Sequence, residues 1–514
     1  MKKFLMILSI AAMSVVAFAC SKGGGGDNPT PPGPVAPTSI SITPTTINAA
    51  QAGESVEVTI TAPARPSVSG LPSWITYTDG TYNSSTYKIT IKLNFTANNT
   101  YEARTANLKV TAAGAASVTY AVTQAGKTVV PDPTLPDNAA VARTKELGLG
   151  WNMGNHLDAI ADGVANETCW GNPLATQATF TGVKNAGFTS VRIPVTWMGH
   201  IGEGPDYKIE DAWMNRVYEV VGYAETAGLK VILNTHHDED HGDDHWLNVA
   251  SAVNSEDKNT EIKKEINAVW TQIANKFKDK GDFLMFESFN ELINGSNWTL
   301  TSNQQKIADI INGWNQEFVT AVRATGGNNS NRWLGVPGYA ASPQYLQYFK
   351  MPTDPAGKTM VAFHCYDPYD YTIGDKQLAN WGHTGNAYPN GENEIKELFN
   401  KLYTDYVAKN IPIYMGEFGC SFRNKADSKA WAFFLYYLEY VVKAAKSYGI
   451  SAFLWDNGAE GKTGYGKECH CYIDHGTGKY KPNGEEPVKV MVKAWSTTDS
   501  KYTLQSVYDS APQF

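Results

Sequence analysis

Two short segments carry the residue types from which a hydrolase assembles a working pair of carboxyls. Phe286-Glu287-Ser288-Phe289-Asn290-Glu291 and Ile413-Tyr414-Met415-Gly416-Glu417-Phe418-Gly419 each run an apolar, strand-like stretch into a glutamate just before the chain turns. Cleavage of a glycosidic bond needs one carboxyl to protonate the departing oxygen and a second to attack or stabilise the positive sugar carbon. Two glutamates at the ends of different strands are chemically sufficient. Glu291 and Glu417 stand 126 positions apart; in an eightfold barrel of roughly 250 residues or more, that suits strands a few units apart whose C-terminal ends face one pocket. A lone glutamate at a strand end is more often surface charge than catalyst. Here Asn290 precedes one, Gly416 and Gly419 bracket the other, and His364-Cys365-Tyr366 closes a further strand-like run between them. Glu287 is the rival carboxylate. Period-two alternation puts residues 287, 289 and 291 on one side of the strand with Glu287 a layer deeper, where an ion pair with Arg192 would neutralise it and make it structural.

The elements that must position these residues follow from periodicity. From Asn138 onward, strand-like runs alternate with amphipathic helices. Eight strand candidates are Leu147 to Gly154, Ser190 to Val195, Lys230 to His236, Phe283 to Glu291, Trp333 to Gly338, Met360 to Tyr366, Ile411 to Gly419 and Ser451 to Asn457, with helical stretches such as Asp211 to Ala227, Asn303 to Thr325 and Lys429 to Tyr448 between them. That count predicts an α/β fold, a TIM (β/α)8 barrel over residues 139–514.

The rest of the chain reads as export and spacing. Met1-Lys2-Lys3 followed by an apolar stretch to Phe18 has the length and flanks of a secretory signal (1–19) and is too short to span a membrane. It closes on Ala17-Phe18-Ala19-Cys20, which resembles the lipobox of bacterial lipoproteins; the resemblance implies a lipid anchor at Cys20 and an exported protein held on the outer membrane, at the cell surface. Residues 20–36, rich in Gly, Pro and Asn, form a flexible tether. Residues 37–126 alternate short Val-, Ile-, Thr- and Tyr-rich runs with turns, which predicts an all-β immunoglobulin-like sandwich. Leu71-Pro72-Ser73-Trp74-Ile75, Arg104-Thr105-Ala106-Asn107-Leu108 and Val122-Thr123-Gln124-Ala125-Gly126 resemble the BACON family, often found beside polysaccharide-degrading domains. A spacer role is favoured over sugar binding, since Trp74 serves as well in a core as on a binding platform. Residues 127–138 carry Pro131, Pro133 and Pro136, a stiff linker.

Composition narrows the partners. A formal charge of −8 argues against nucleic acid and fits a neutral substrate. Setting Cys20 aside, Cys169, Cys365, Cys420, Cys469 and Cys471 are an odd set without repeated spacing, so at most two bridges form and no disulfide framework is present. Cys469-His470-Cys471 lacks the rest of a metal set and reads as a loop or a bridge. The acidic run from Asp238 to His245 fails the spacing of a calcium loop and reads as a solvated loop over the cleft. No metal and no cofactor is expected, and the protein is expected to act as a monomer.

Taken in barrel order, the strand ends supply Asn155, Arg192, His236 with His237, Asn290-Glu291, Tyr339, His364 with Tyr366, Glu417 and Trp455. Their motifs are Gly150-Trp151-Asn152-Met153-Gly154-Asn155, Trp170-Gly171-Asn172-Pro173, Val191-Arg192-Ile193-Pro194-Val195-Thr196-Trp197, Asn234-Thr235-His236-His237, Phe289-Asn290-Glu291, His364-Cys365-Tyr366, Gly416-Glu417-Phe418-Gly419 and Trp455-Asp456-Asn457-Gly458. This set resembles glycoside hydrolase family 5, in its endoglucanase and xyloglucanase branch, over about residues 140 to 480. The resemblance implies that Glu291 is the general acid/base and Glu417 the nucleophile. Asn290 would then bond the sugar 2-hydroxyl, Arg192 and Tyr366 would hold Glu417 as a carboxylate, His364 would hold a carboxyl or sugar hydroxyl, and Trp455 would offer an indole face to the ring. Asn155, His236 and His237 complete the substrate-binding set. Two positions depart from the family pattern: Leu292 follows the acid/base where Pro is usual, and His156 stands where close relatives usually carry a small residue. The expected activity is a retaining endo-β-1,4-glucanase acting on cellulose-like polysaccharide. The alternatives are a xyloglucan, mixed-linkage glucan or mannan hydrolase, and, from another class, a non-catalytic glycan-capturing surface lipoprotein.

Overall fold

The computed structural model describes residues 34–239, 245–374, 376, 378–459 and 468–514. The signal segment, Cys20 and most of the tether lie outside the described residues, as do positions 240–244 of the acidic loop. The chain divides into two compact units, residues 1–128 and 129–514.

The first unit is a sandwich of two four-stranded sheets. One takes the order Ser41–Thr43, Ser55–Thr61, Lys88–Phe95, Ile75–Thr78, and the other Ile47–Ala49, Val118–Gln124, Arg104–Thr111, Ser67–Ser69. Alternation decides its inner faces: along Lys88–Phe95, Ile89, Ile91, Leu93 and Phe95 are buried while Lys88, Thr90 and Lys92 are exposed. Each buried Ile or Leu contributes about 1.5–3 kcal/mol of hydrophobic stabilisation. Trp74 is half-buried against this core, and the Arg104 guanidinium lies 4.5 Å from its ring centroid.

The second unit is a closed barrel of eight parallel strands. In chain order they are β1 (Leu149–Met153), β2 (Ser190–Ile193), β3 (Lys230–Asn234), β4 (Leu284–Glu287), β5 (Leu334–Pro337), β6 (Thr359–Cys365), β7 (Ile413–Phe418) and β8 (Ser451–Asp456). Every residue of β1, β4, β5, β6, β7 and β8 is buried, as expected where helices cover the outside and side chains fill the inside. The lower interior packs Ile232, Met285, Met360, Tyr414 and Phe453. Helix Gln304–Ala324 shows why the outer ring adheres: Ile307, Ile311, Trp314, Phe318 and Val322 form one apolar stripe at helical spacing.

The strands are shorter than the sequence indicates, and at the C-terminal rim the difference is chemical. β4 stops at Glu287. Beyond it Ser288 donates to Asn315 on the outer helix at 2.6 Å, and Phe289 packs edge-on against Trp314. The alternation that would keep 287, 289 and 291 on one side is therefore broken: Phe289 turns outward, while Asn290 and Glu291 turn back over the barrel mouth, where both line the cleft. In β7 a bulge does similar work. Phe363 pairs with Met415 but His364 pairs with Glu417, leaving Gly416 as the extra residue and re-aiming Glu417. A Cβ on Gly416 would meet His364 Nε2 at 3.2 Å, so the bulge is tight as well as bent.

Candidate active site

Arg192 is the hub of the site. It is fully buried on β2, and its guanidinium reaches four neighbours. Nη2 and Nε bind Glu287 Oε1 at 2.7 and 3.0 Å, Nη1 binds Glu417 Oε1 at 2.7 Å and Asn152 Oδ1 at 3.0 Å, and Nη2 also binds Asn290 Oδ1 at 2.9 Å. Only a planar fork of five donors serves so many acceptors at once. Glu287 is further held by Tyr414 Oη at 2.5 Å and Asn234 Nδ2 at 2.9 Å. Burial would raise its carboxyl, but Arg192 and Tyr414 more than reverse that and hold it below the usual range. Glu287 is a permanent counter-ion for Arg192, beneath the mouth of the barrel.

Glu417 and Glu291 face each other above this layer. One oxygen of each carboxyl and His364 Nδ1 all lie within 4.8 Å of one another. His364 Nδ1 is 2.6 Å from Glu291 Oε1 and 3.7 Å from Glu417 Oε2. Glu417 Oε2 also accepts from Tyr366 Oη at 2.9 Å. Burial pushes Glu417 above its ordinary value, against His364 and Arg192, which lower it. Burial pushes Glu291 up to about 7, with Arg192 opposing and Glu287 assisting. Burial also pushes His364 down to about 4, so its ring is neutral at working pH. The two carboxyls are thus unlike: Glu417 takes charged and phenolic donors that favour the anion, whereas Glu291 sits where a proton is retained near neutrality.

The walls around them form a cleft of about 730 Å³ that contains both carboxyls. Trp455, at the end of β8, stacks on His236 with ring centroids 5.8 Å apart, and its indole lies so close over Gly154 that a Cβ there would meet it at 2.8 Å. His236 Nε2 is 3.9 Å from Glu417 Oε1, and burial holds this imidazole well below its usual pKa. His237 leans edge-on against His236 and places Nε2 3.7 Å from Asp158. Asn155 lines the cleft from a left-handed backbone position (φ 58°) that asparagine tolerates. Asn155, Arg192, His236, His237, Asn290, His364, Tyr366 and Trp455 are therefore gathered around the two glutamates.

Trp298 and Tyr369 were not singled out by sequence. Trp298, 54% exposed, and Tyr369, 61% exposed, put aromatic surface along the cleft, which Trp170 of the Trp170–Pro173 motif also lines. Asn152 accepts from Arg192 and donates to the Gly416 carbonyl at 2.9 Å, joining β1 to the bulge. Tyr339 acts as a brace: its hydroxyl accepts from Asn294 N at 3.1 Å and donates to Asn297 O, fixing the loop that carries Trp298. Leu292, in the place of the usual proline, is fully buried and its carbonyl accepts from Ala340 N at 2.9 Å, so packing supplies the constraint that proline would.

His156, one of the two departures from the family pattern, is fully buried, 3.4 Å from Glu167 and ring to ring with His475 at 5.0 Å, because its main-chain N–H is drawn into a turn by Asp158 at 2.6 Å. The described cysteines form no bridge, as the lack of a disulfide framework allows. Cys169, Cys365 and Cys420 are thiols, and Cys469 and Cys471 donate to the carbonyls of Ala459 and Gly458. Asp238 and Glu239 are not solvated: Asp238 accepts from Trp197 N at 2.9 Å, Met198 N at 2.8 Å and Trp246 Nε1 at 2.8 Å, and Glu239 is buried behind Asn290. Part of the 127–138 linker is docked rather than extended, with Lys396 on Asp132 at 2.8 Å and Leu135, partly buried, packed against the barrel's core. Two trios, Glu291-His364-Glu417 and Asp158-His236-His237, are close enough to share a cation. The first is committed to the hydrogen bonds above, and Asp158 already accepts from Asn155 N and His156 N. Neither reads as a dedicated metal set, which would leave its oxygens and nitrogens open.

The Cellulase (glycosyl hydrolase family 5) profile matches residues 157–461, and the BACON N-terminal domain profile matches residues 64–125. Endoglucanase A of Paenibacillus barcinonensis is 36% identical over 341 residues, covering 63% of this chain and 83% of its own length. A xyloglucan-specific endo-β-1,4-glucanase of Bacteroides ovatus is 32% identical over 432 residues, 79% of this chain and 83% of its own. Among solved structures, a broad-specificity endoglucanase of Bacteroides salanitronis is 44% identical, with a TM-score of 0.67 over 72% of this chain and 99% of its own.

Proposed function

The chain belongs to glycosyl hydrolase family 5, and from that premise we propose that Glu291 is the general acid/base and Glu417 the nucleophile of a retaining endo-β-1,4-glucanase. The enzyme hydrolyses internal bonds of cellulose-like polysaccharide. One observation carries the assignment of roles: Glu417 takes Arg192 Nη1 at 2.7 Å and Tyr366 Oη at 2.9 Å, which favour its anion, while burial pushes Glu291 up to about 7, and oxygens of the two carboxyls lie within 4.8 Å, close enough for double displacement.

In the first step a Glu417 oxygen attacks the anomeric carbon, the bond to the leaving oxygen breaks, and the Glu291 proton passes to that oxygen. A carboxyl poised near 7 both holds the proton and gives it up, a contribution of roughly 10²- to 10⁴-fold. Tyr366 and Arg192 keep Glu417 anionic until attack. In the second step Glu291, now a carboxylate, takes a proton from water, which attacks the same carbon and returns Glu417 as a carboxylate. Neutral His364 faces both carboxyls through Nδ1 and fixes the orientation of the Glu291 carboxyl.

Xyloglucan is the second reading of the substrate. It is favoured by the Bacteroides ovatus relative, whose match runs over 432 residues and so exceeds the barrel alone. Reducing-sugar release from cellulose, xyloglucan, mixed-linkage glucan and mannan separates these choices. Release from a β-1,4-glucan is expected, and silence on all four would leave glycan capture.

The chain end supports a lipid-anchored, surface-facing protein, with the sandwich as spacer; Arg104 over Trp74 leaves that indole poorly placed as a sugar platform. Cys20→Ala should leave the membrane fraction with its hydrolase activity intact. Unchanged membrane association would refute the anchor.

A further inference from the structure

Asn290 has to present an amide N–H to the sugar in a definite orientation, and an amide is free to rotate unless both ends are engaged. Its Oδ1 accepts from Arg192 Nη2 at 2.9 Å. Its Nδ2 donates one hydrogen to Glu239 Oε1 at 3.1 Å, which leaves the second N–H for the cleft that Asn290 lines. The same Glu239 oxygen accepts from the main-chain N of Glu291 at 3.1 Å. Glu239 is 7% exposed and does not line the cleft. Its Oε2 is buried and makes no hydrogen bond among the described residues, so the contacts of this carboxyl to Asn290 and Glu291 both run through Oε1.

We propose that Glu239 is a positioning residue for the hydrolysis: through Oε1 it fixes the amide plane of Asn290 and the main chain of Glu291, so that the remaining Asn290 N–H meets the 2-hydroxyl of the sugar at the cleaved bond. This rests on the reading of Glu291 and Asn290 given above. The surroundings of Glu239 favour its neutral acid. Burial, with Asp238 and Glu291 nearby, pushes its carboxyl well above the usual range, against the N–H donors of Glu291 and Asn290. A carboxylate at this point would oppose the Glu291 anion needed in the second step. A neutral carboxyl offers the same acceptor without the charge. Because the sugar 2-hydroxyl contact tightens as positive charge develops on the ring, its loss falls on kcat rather than on KM.

The test compares an aryl β-cellobioside with its analogue lacking the 2-hydroxyl on the sugar at the cleaved bond, in wild type, Glu239→Ala and Glu239→Gln. Wild type should prefer the hydroxylated substrate by about 10²-fold or more in kcat/KM, since this contact supplies several kcal/mol to the transition state. Glu239→Ala should lower kcat on the hydroxylated substrate by about tenfold or more with little change in KM, and lose much less on the deoxy analogue, so that the preference collapses. Glu239→Gln offers the same acceptor oxygen without charge and should keep the preference and the pH profile within a few-fold of wild type. The ratio of the two rates does not depend on how much of a sample is folded, so poor folding of Glu239→Ala cannot imitate the result. Equal losses on both substrates, an intact preference in Glu239→Ala, or a preference lost in Glu239→Gln would overturn the proposal. A wild type indifferent to the 2-hydroxyl would refute the reading of Asn290 itself, and the proposal with it.

Discussion

Tyr366→Phe removes one hydroxyl and leaves the ring in place, so its effect can be worked from a single contact. Tyr366 Oη donates to Glu417 Oε2 at 2.9 Å, while the other oxygen takes Arg192 Nη1 at 2.7 Å. A hydrogen bond to a charged acceptor contributes about 1.5–3 kcal/mol to the charged form. At 1.36 kcal/mol per pH unit, its loss raises the Glu417 pKa by about one to two units. The direction adds to the burial that already lifts this carboxyl above its ordinary value. Glu417 attacks only as the anion, so activity falls as pH drops through its pKa, and a raised pKa moves that acidic limb to higher pH. The limb is read from kcat/KM against pH on an aryl cellobioside with an acidic leaving group, which needs little protonation and so isolates the nucleophile. An acidic limb that stays in place, or moves to lower pH, would refute the claim that the phenol holds Glu417 as a carboxylate.

Other outcomes follow from the same groups. With Glu291 pushed up to about 7, glycosylation of substrates with poor leaving groups should decline as pH rises through about 7, and this basic limb should be much weaker in wild type on an activated aryl glycoside, which needs little protonation; an equal limb on both substrates would count against Glu291 as the acid. Acid should destabilise the fold through buried neutral histidines. His156 is pushed down to about 4 by burial, so the unfolded chain binds the extra proton below its own pKa of about 6.5, and the stability present above that pH is lost as pH falls toward 4. One such group costs about 2 kcal/mol between pH 7 and pH 5; denaturant unfolding of His156→Phe should show a correspondingly shallower dependence, and an unchanged slope would count against a neutral buried imidazole.

Much of the barrel was legible because its strands are buried on both faces and so read as apolar runs. The ends were not. Where β4 stops is decided by Ser288 and Phe289 finding partners on the outer helix, a tertiary choice that period-two alternation cannot anticipate. The Arg192–Glu287 pair was readable because a buried carboxylate demands a cation and few were available. Glu239 was not, since in a row of acidic residues nothing local tells the one that folds under Asn290 from those around it. Trp298 was overlooked because it lies in a loop, where periodicity offers no guide to exposure.

The central claim is that Glu417 forms the covalent bond and Glu291 moves the proton. A 2-deoxy-2-fluoro aryl cellobioside slows both steps, and an acidic leaving group still lets the first proceed, so the glycosyl-enzyme accumulates and can be located by mass spectrometry of proteolytic peptides. The account predicts one sugar equivalent per chain, carried on the peptide containing Glu417 and absent from Glu417→Gln. Label on the peptide bearing Glu287 and Glu291, or a Glu417→Gln variant that still accumulates the adduct, would contradict it.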